Sequence, residues 1–150
     1  MIRCLILSVA VLLGMSVAAC SKSTLLDGAS KTIVSVTLDG EPVEGAAVVF
    51  SPIDSGRSAT GITDVQGHVE MGTVMPGDGV LPGQYLVTVT KSIDDPKSKI
   101  EESEEAPTGR YYSIPQLYLV PKKYLDPKSS GLTATIEKGE TNTVQLDLKN

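Results

Sequence analysis

The chain has 150 residues, with 13 Lys and Arg against 18 Asp and Glu, a net charge of −5 at neutral pH. That balance argues against a nucleic-acid or polybasic membrane-surface role, since both need positive charge gathered on one face. Two cysteines, one histidine and no tryptophan also leave the chain short of zinc ligands, which come as three or four side chains, typically His and Cys.

Met1-Ile2-Arg3 supplies a basic start, residues 5–13 form an almost unbroken apolar run, and small residues lead up to Cys20. This is the three-part layout of a secretory signal, and its apolar core is too short for a comfortable membrane span. Val17-Ala18-Ala19-Cys20 resembles the lipobox of bacterial lipoproteins, where a branched apolar residue and two small ones precede a cysteine. The resemblance implies that residues 1–19 are a cleaved lipoprotein signal peptide and that Cys20 is lipidated, carrying a diacylglycerol on its thiol with fatty-acyl chains such as palmitate. Several chains, at roughly 0.8 kcal/mol per buried methylene, anchor durably where a single chain does not. The implied location is the cell envelope, with the domain in the periplasm or at the cell surface. Ser21 in place of Asp implies outer-membrane sorting if the host is Gram-negative.

Cleavage there leaves 131 residues, enough for one domain with a real core. Cys4 lies in the signal and Cys20 is spent on lipid, so the mature domain has no thiol for a disulfide, a metal or a nucleophile. Residues 20–31 are small and polar beyond the cysteine and read as a tether. The domain proper is expected over residues 32–150.

Residues 32–38 alternate, with Val34, Val36 and Leu38 on one face, and Asp39-Gly40 suits a tight hairpin. Residues 46–50 resume the strand until Ser51-Pro52. Residues 60–63 form a short strand, 64–67 a second Asp/Gly turn, and 68–71 its return. Residues 76–83 are a Gly- and Pro-rich loop. Tyr85, Val87 and Val89 mark one face of the next strand. Residues 132–136 and 144–148 alternate too, joined by Lys138-Gly139-Glu140. About seven short strands with no sustained helical stripe predict an all-β sandwich. The segment 92–116, with Glu101, Glu102, Glu104 and Glu105 and three prolines, is expected to be a long acidic, solvated loop without strands.

The run Val36-Thr37-Leu38-Asp39-Gly40-Glu41-Pro42-Val43-Glu44-Gly45-Ala46-Ala47-Val48-Val49-Phe50, followed by Gly61-Ile62-Thr63-Asp64-Val65-Gln66-Gly67 and Pro82-Gly83-Gln84-Tyr85-Leu86-Val87-Thr88-Val89, resembles the carboxypeptidase regulatory-like domain. The resemblance covers nearly the whole mature domain. It implies a transthyretin-like or Ig-like Greek-key β-sandwich, and it implies no activity, because this fold serves as an accessory module on unrelated proteins. The peptidase domain that such modules accompany has no counterpart in this sequence.

His68, the one histidine, sits just after a turn glycine, where a surface strand position is expected. A Ser-His-Asp triad is not supported, because no serine stands in an elbow motif. Hydroxyisourate hydrolases and intradiol dioxygenases share related folds, but both need more than one histidine. Asp39, Asp64 and Asp78 adjoin glycines and read as turn residues rather than calcium ligands, which must converge on one point. Tyr111 and Tyr112 are possible ligand contacts, since their rings beside a polar loop could stack on sugars. Tyr118 and Tyr124 are expected to tie the 92–116 segment to the sandwich. No catalytic, cofactor-binding or metal-binding residue is expected. The sequence therefore points to a non-enzymatic interaction or structural module. Its partners are expected to be the membrane, through Cys20, and an envelope protein or polysaccharide, with no nucleic acid; a carbohydrate-binding module is the alternative.

Overall fold

A computed structural model describes residues 25–97, 101–103, 111–113 and 115–150. The fold is an all-β sandwich, built from two four-stranded sheets. In one, β1 (Thr32–Leu38) lies at the centre, with β12 (Asn142–Leu148) on one side and β2 (Glu41–Pro42) and β5 (His68–Glu70) sharing the other. The second sheet runs β11 (Leu132–Ile136), β6 (Gly83–Thr90), β3 (Ala47–Pro52), β4 (Ala59–Ile62). The β1–β12 pairing is parallel, in register from Thr32 and Asn142 to Leu38 and Leu148, whereas β2 and β5 pair with β1 antiparallel. Among the described residues the sandwich thus holds eight strands rather than about seven.

Alternation builds the core as the sequence requires. Val34 and Val36 from β1, Val48 and Phe50 from β3, Tyr85, Val87 and Val89 from β6, and Leu146 and Leu148 from β12 are all buried between the sheets. Each contributes on the order of 1.5–3 kcal/mol against its exposed state. Phe50 and Tyr85 meet with ring centroids 5.8 Å apart, and the Tyr85 hydroxyl donates to the Leu81 carbonyl at 2.7 Å. Burial pushes the Tyr85 phenol above its ordinary pKa. A two-residue hairpin joins β1 to β2, with Asp39 and Gly40 both at positive φ (52° and 94°), as the Asp-Gly pair demands.

The expected return at 68–71 and the turn at 138–140 are both crossings between sheets. After the Asp64 turn, β5 leaves β4 and pairs with β1, setting Val69 opposite Val34. That switch buries Val69 and Met71 under the first sheet, and it needs Gly61, because a Cβ there would stand 2.4 Å from Val69 Cγ2. The turn at 137–141 is likewise a corner, since β11 pairs with β6 and β12 with β1. Asn142 closes that corner, accepting from the Glu137 N–H at 2.9 Å and donating to the Glu137 carbonyl at 3.1 Å.

The 92–116 segment also departs from the loop expected of it. β7 (Ser92–Asp94) pairs antiparallel with β10 (Gln116–Tyr118), and β8 (Glu101–Ser103) pairs with β9 (Tyr111–Ser113). Backbone pairing needs no apolar face, so acidic composition predicted the exposure of β7 and missed the ladder.

Candidate functional site

Strand polarity gives the sandwich two distinct ends. Leu25 and Leu26 lie at the first. The Leu26 N–H donates to the Asp78 carbonyl at 2.8 Å, and Leu25 reaches Gly79. The turns at 53–58, 73–82 and 137–141 gather at this end, where β1 begins and β3 and β11 finish. At the opposite end lie the Asp39-Gly40 hairpin, the Asp64 turn and, beyond Thr90, the paired strands β7 and β10. Cys20 lies outside the described residues, five positions ahead of Leu25.

At the Leu25 end, one carboxylate organises the loop at 73–78. Asp78 is buried and accepts from the backbone N–H groups of Thr73 at 2.6 Å, Met75 at 2.9 Å and Val74 at 3.1 Å. Burial alone would raise its pKa, but the donors from Met75, Thr73 and Val74 outweigh it and hold the carboxyl below its ordinary value. Because the backbone N–H groups turn inward to Asp78, the side chains of Val74 and Met75 turn out, 59% and 67% exposed.

A groove of about 740 Å³ runs along the seam where β4 and β5 part. Two backbone stitches bound the seam: Thr60 exchanges hydrogen bonds with Gly72, and the Asp64 N–H donates to the His68 carbonyl at 2.7 Å. The groove floor is Ala47, Val49 and Ile62 on the outer face of the second sheet, and Val74, Met75 and Pro76 form one wall. Asp64, His68 and Glu70 supply a polar rim. Such a surface can cover apolar groups and offers rim charges to orient them.

His68 is an exposed strand residue on this rim, and its backbone N–H donates to the Asp64 carboxylate at 2.9 Å. Asp39, Asp64 and Asp78 serve separate turns. Asp39 accepts from the Asn150 amide, and Asp64 from the Gln66 and His68 N–H groups. Among the described residues, no cluster of three or more His, Cys, Asp or Glu could hold a metal ion.

At the opposite end, Ile93 and Leu117 are exposed cross-strand partners, and Lys122 Nζ stands 5.3 Å from the centroid of the Tyr118 ring. Tyr124, in the 3-10 turn Lys122–Leu125, is buried; its hydroxyl accepts from the Lys149 N–H at 2.9 Å and donates to the Lys149 carbonyl at 3.2 Å. Tyr124 therefore fastens the segment leading out of the ribbon to the last strand, whereas Tyr118 stays 37% exposed. Tyr111 and Tyr112 lie in β9 opposite Ser103 and Glu102, and their side chains fall outside the described set. The sequence reading missed the groove. Its one signal is an apolar Val74-Met75 pair inside a Gly- and Pro-rich loop, where turn chemistry alone needs no apolar residue.

No protein-family model matches the chain, and no curated protein matches it in sequence.

Proposed function

We propose that the chain is an envelope lipoprotein: a β-sandwich of the carboxypeptidase regulatory-like kind, tethered by lipid on Cys20 and working as a non-catalytic interaction or structural module. The observation that carries this reading is the Val17-Ala18-Ala19-Cys20 sequence, set directly behind a basic start and an apolar run. The layout of the sandwich fits the reading. Leu25, five residues after Cys20 and within the 20–31 tether, sits at one end, and the β7–β10 ribbon leaves the other, so the acidic segment would face away from the membrane toward an envelope protein or polysaccharide. Exposed segments on a rigid sandwich are where binding most often resides.

Metabolic labelling with palmitate tests the anchor. The full-length chain should take up label and fractionate with membranes, and Cys20→Ala should lose both; a Cys20→Ala protein that keeps its label overturns the reading. Crosslinking in the native membrane tests the module. One recurrent protein should be captured, and deletion of residues 94–108 should abolish capture. Retention on envelope polysaccharide that vanishes in a Tyr111→Ala, Tyr112→Ala double variant would instead select the carbohydrate-binding alternative.

A further inference from the structure

We propose that the Leu25 end of the sandwich is a bilayer seat, with Leu25, Ile53, Val74 and Met75 dipping into the interfacial layer of the membrane. The inference rests on the reading that Cys20 is lipidated, and adds to it how the domain stands on the membrane. Three observations lead to it.

The first is reach. Cys20 lies five residues before Leu25, and a fully extended chain advances at most about 3.6 Å per residue. Leu25 is therefore held within about 18 Å of the acylated cysteine. Whatever the path of the tether, the end bearing Leu25 stays beside the bilayer.

The second is the chemistry of that end. Leu25, Ile53, Val74 and Met75 are 45%, 50%, 59% and 67% exposed. They come from three separate segments that lie at this end, Val74 and Met75 on the side where they also wall the groove. Leu25 packs on Gly79, Leu26 is bonded to Asp78, and the Ile53 N–H donates to the Gln84 carbonyl at 3.0 Å. Single exposed apolar residues are ordinary on any surface, but here Val74 and Met75 are adjacent at one loop tip. Asp78 holds their backbone inward, so their outward direction is built into the loop.

The third is charge. The same end is acidic on balance: Asp27, Asp54, Asp78, Glu137 and Glu140 stand against Arg57 and Lys138, and Lys31 is bridged to Glu70 at 2.8 Å. No basic cluster is present among these residues to bind anionic headgroups from above. Contact must come from apolar side chains entering the interface, as in amphipathic elements that sink about 5–10 Å into the headgroup boundary. A protein partner would have to fit within the reach of at most about 18 Å that the five residues from Cys20 to Leu25 allow.

The mature chain offers no thiol besides Cys20, so a single introduced cysteine can be labelled cleanly. Lipidated full-length protein carrying an environment-sensitive fluorophore on Met75→Cys is reconstituted into phosphatidylethanolamine–phosphatidylglycerol vesicles containing nitroxide-labelled acyl chains. A second preparation carries the fluorophore on Glu44→Cys, exposed at the opposite end. The seat predicts that the Met75 label shifts to the blue and loses roughly half its fluorescence to nitroxides at interfacial depth, while the Glu44 label is unchanged. Equal quenching at both positions means that the sandwich lies on its side, and overturns the seat. No quenching at either overturns it as well, leaving a domain that floats on its tether. Mass spectrometry of the Cys20 peptide separates the two claims. An acylated Cys20 with an unquenched Met75 label removes the seat alone, whereas an unmodified Cys20 removes the lipoprotein reading and the seat with it.

Discussion

The two ends of the sandwich are held together by different means. At the Leu25 end, loops are stitched to one another by polar groups. Asp78 gathers three N–H groups, Ser30 pairs through its backbone with Val80 and through its hydroxyl with Gly139, and Thr73 Oγ1 donates to the Gly79 carbonyl at 2.7 Å. At the ribbon end, β7 and β10 pair only with each other among the described strands, and all six of their residues are exposed. The Leu119 N–H, donating to the Lys91 carbonyl at 2.8 Å, extends that ladder by one pair, and the buried Val120 follows it into the sandwich. The Leu25 end is part of the cooperative unit, whereas the ribbon is appended to it. Elements that open or exchange partners without global unfolding are drawn from the second kind.

The largest expected effect tests the stitching at the first end. Asp78→Ala removes the acceptor of three N–H groups around a buried side chain, and should cost about 2–3 kcal/mol, read as a lower urea midpoint with an unchanged slope. Hydrogen exchange should rise at residues 73–79 and stay level at 92–94. A uniform rise would mean that the loop is not a local unit.

Acid sharpens the same point. The Asp78 carboxyl is held below its ordinary value of 3.8 when folded, so the folded state binds its proton less readily than the unfolded chain. Its stabilising contribution is complete above that ordinary value and is lost as pH falls through the folded pKa. Wild type should therefore lose stability on acidification more steeply than Asp78→Asn, in urea titrations between neutral pH and about pH 3. Parallel curves would assign acid sensitivity elsewhere.

Tyr124→Phe tests how the segment after the ribbon is fastened. It removes both hydroxyl bonds to Lys149 while keeping the buried ring, for a cost of about 1 kcal/mol. The loss should appear as faster amide exchange at the end of β12. The smallest effect belongs to the ribbon: replacing residues 92–118, which hold both β7 and β10, by a short glycine linker should shift global stability by no more than about 0.5 kcal/mol, with the thermal transition nearly unmoved. A large shift would show that the ribbon belongs to the folding unit after all, and would erase the contrast between the ends.

Much of this was legible in the sequence. Val34, Val36, Tyr85, Val87 and Val89 announce buried faces through alternation alone, and the Asp39-Gly40 pair specifies its own hairpin, because both depend on residues within a few positions of one another. What failed was pairing at a distance. The turns at 64–67 and 137–141 were recognisable as turns, yet nothing local says whether the returning strand rejoins its neighbour or crosses to the other sheet. That depends on Gly61 leaving room for Val69, and on Val34 waiting across the sandwich. The ribbon escaped because β7 and β10 bury no apolar face to mark them.

The sequence by itself determined the class of the fold and the strands that line its core, since each is encoded in a short run of residue types. Only the tertiary structure decided which strands share a sheet, where the groove opens, and that Leu25 and the ribbon occupy opposite ends. Those are consequences of strand order and direction, which are set by the packing of residues far apart in the chain rather than by any local pattern.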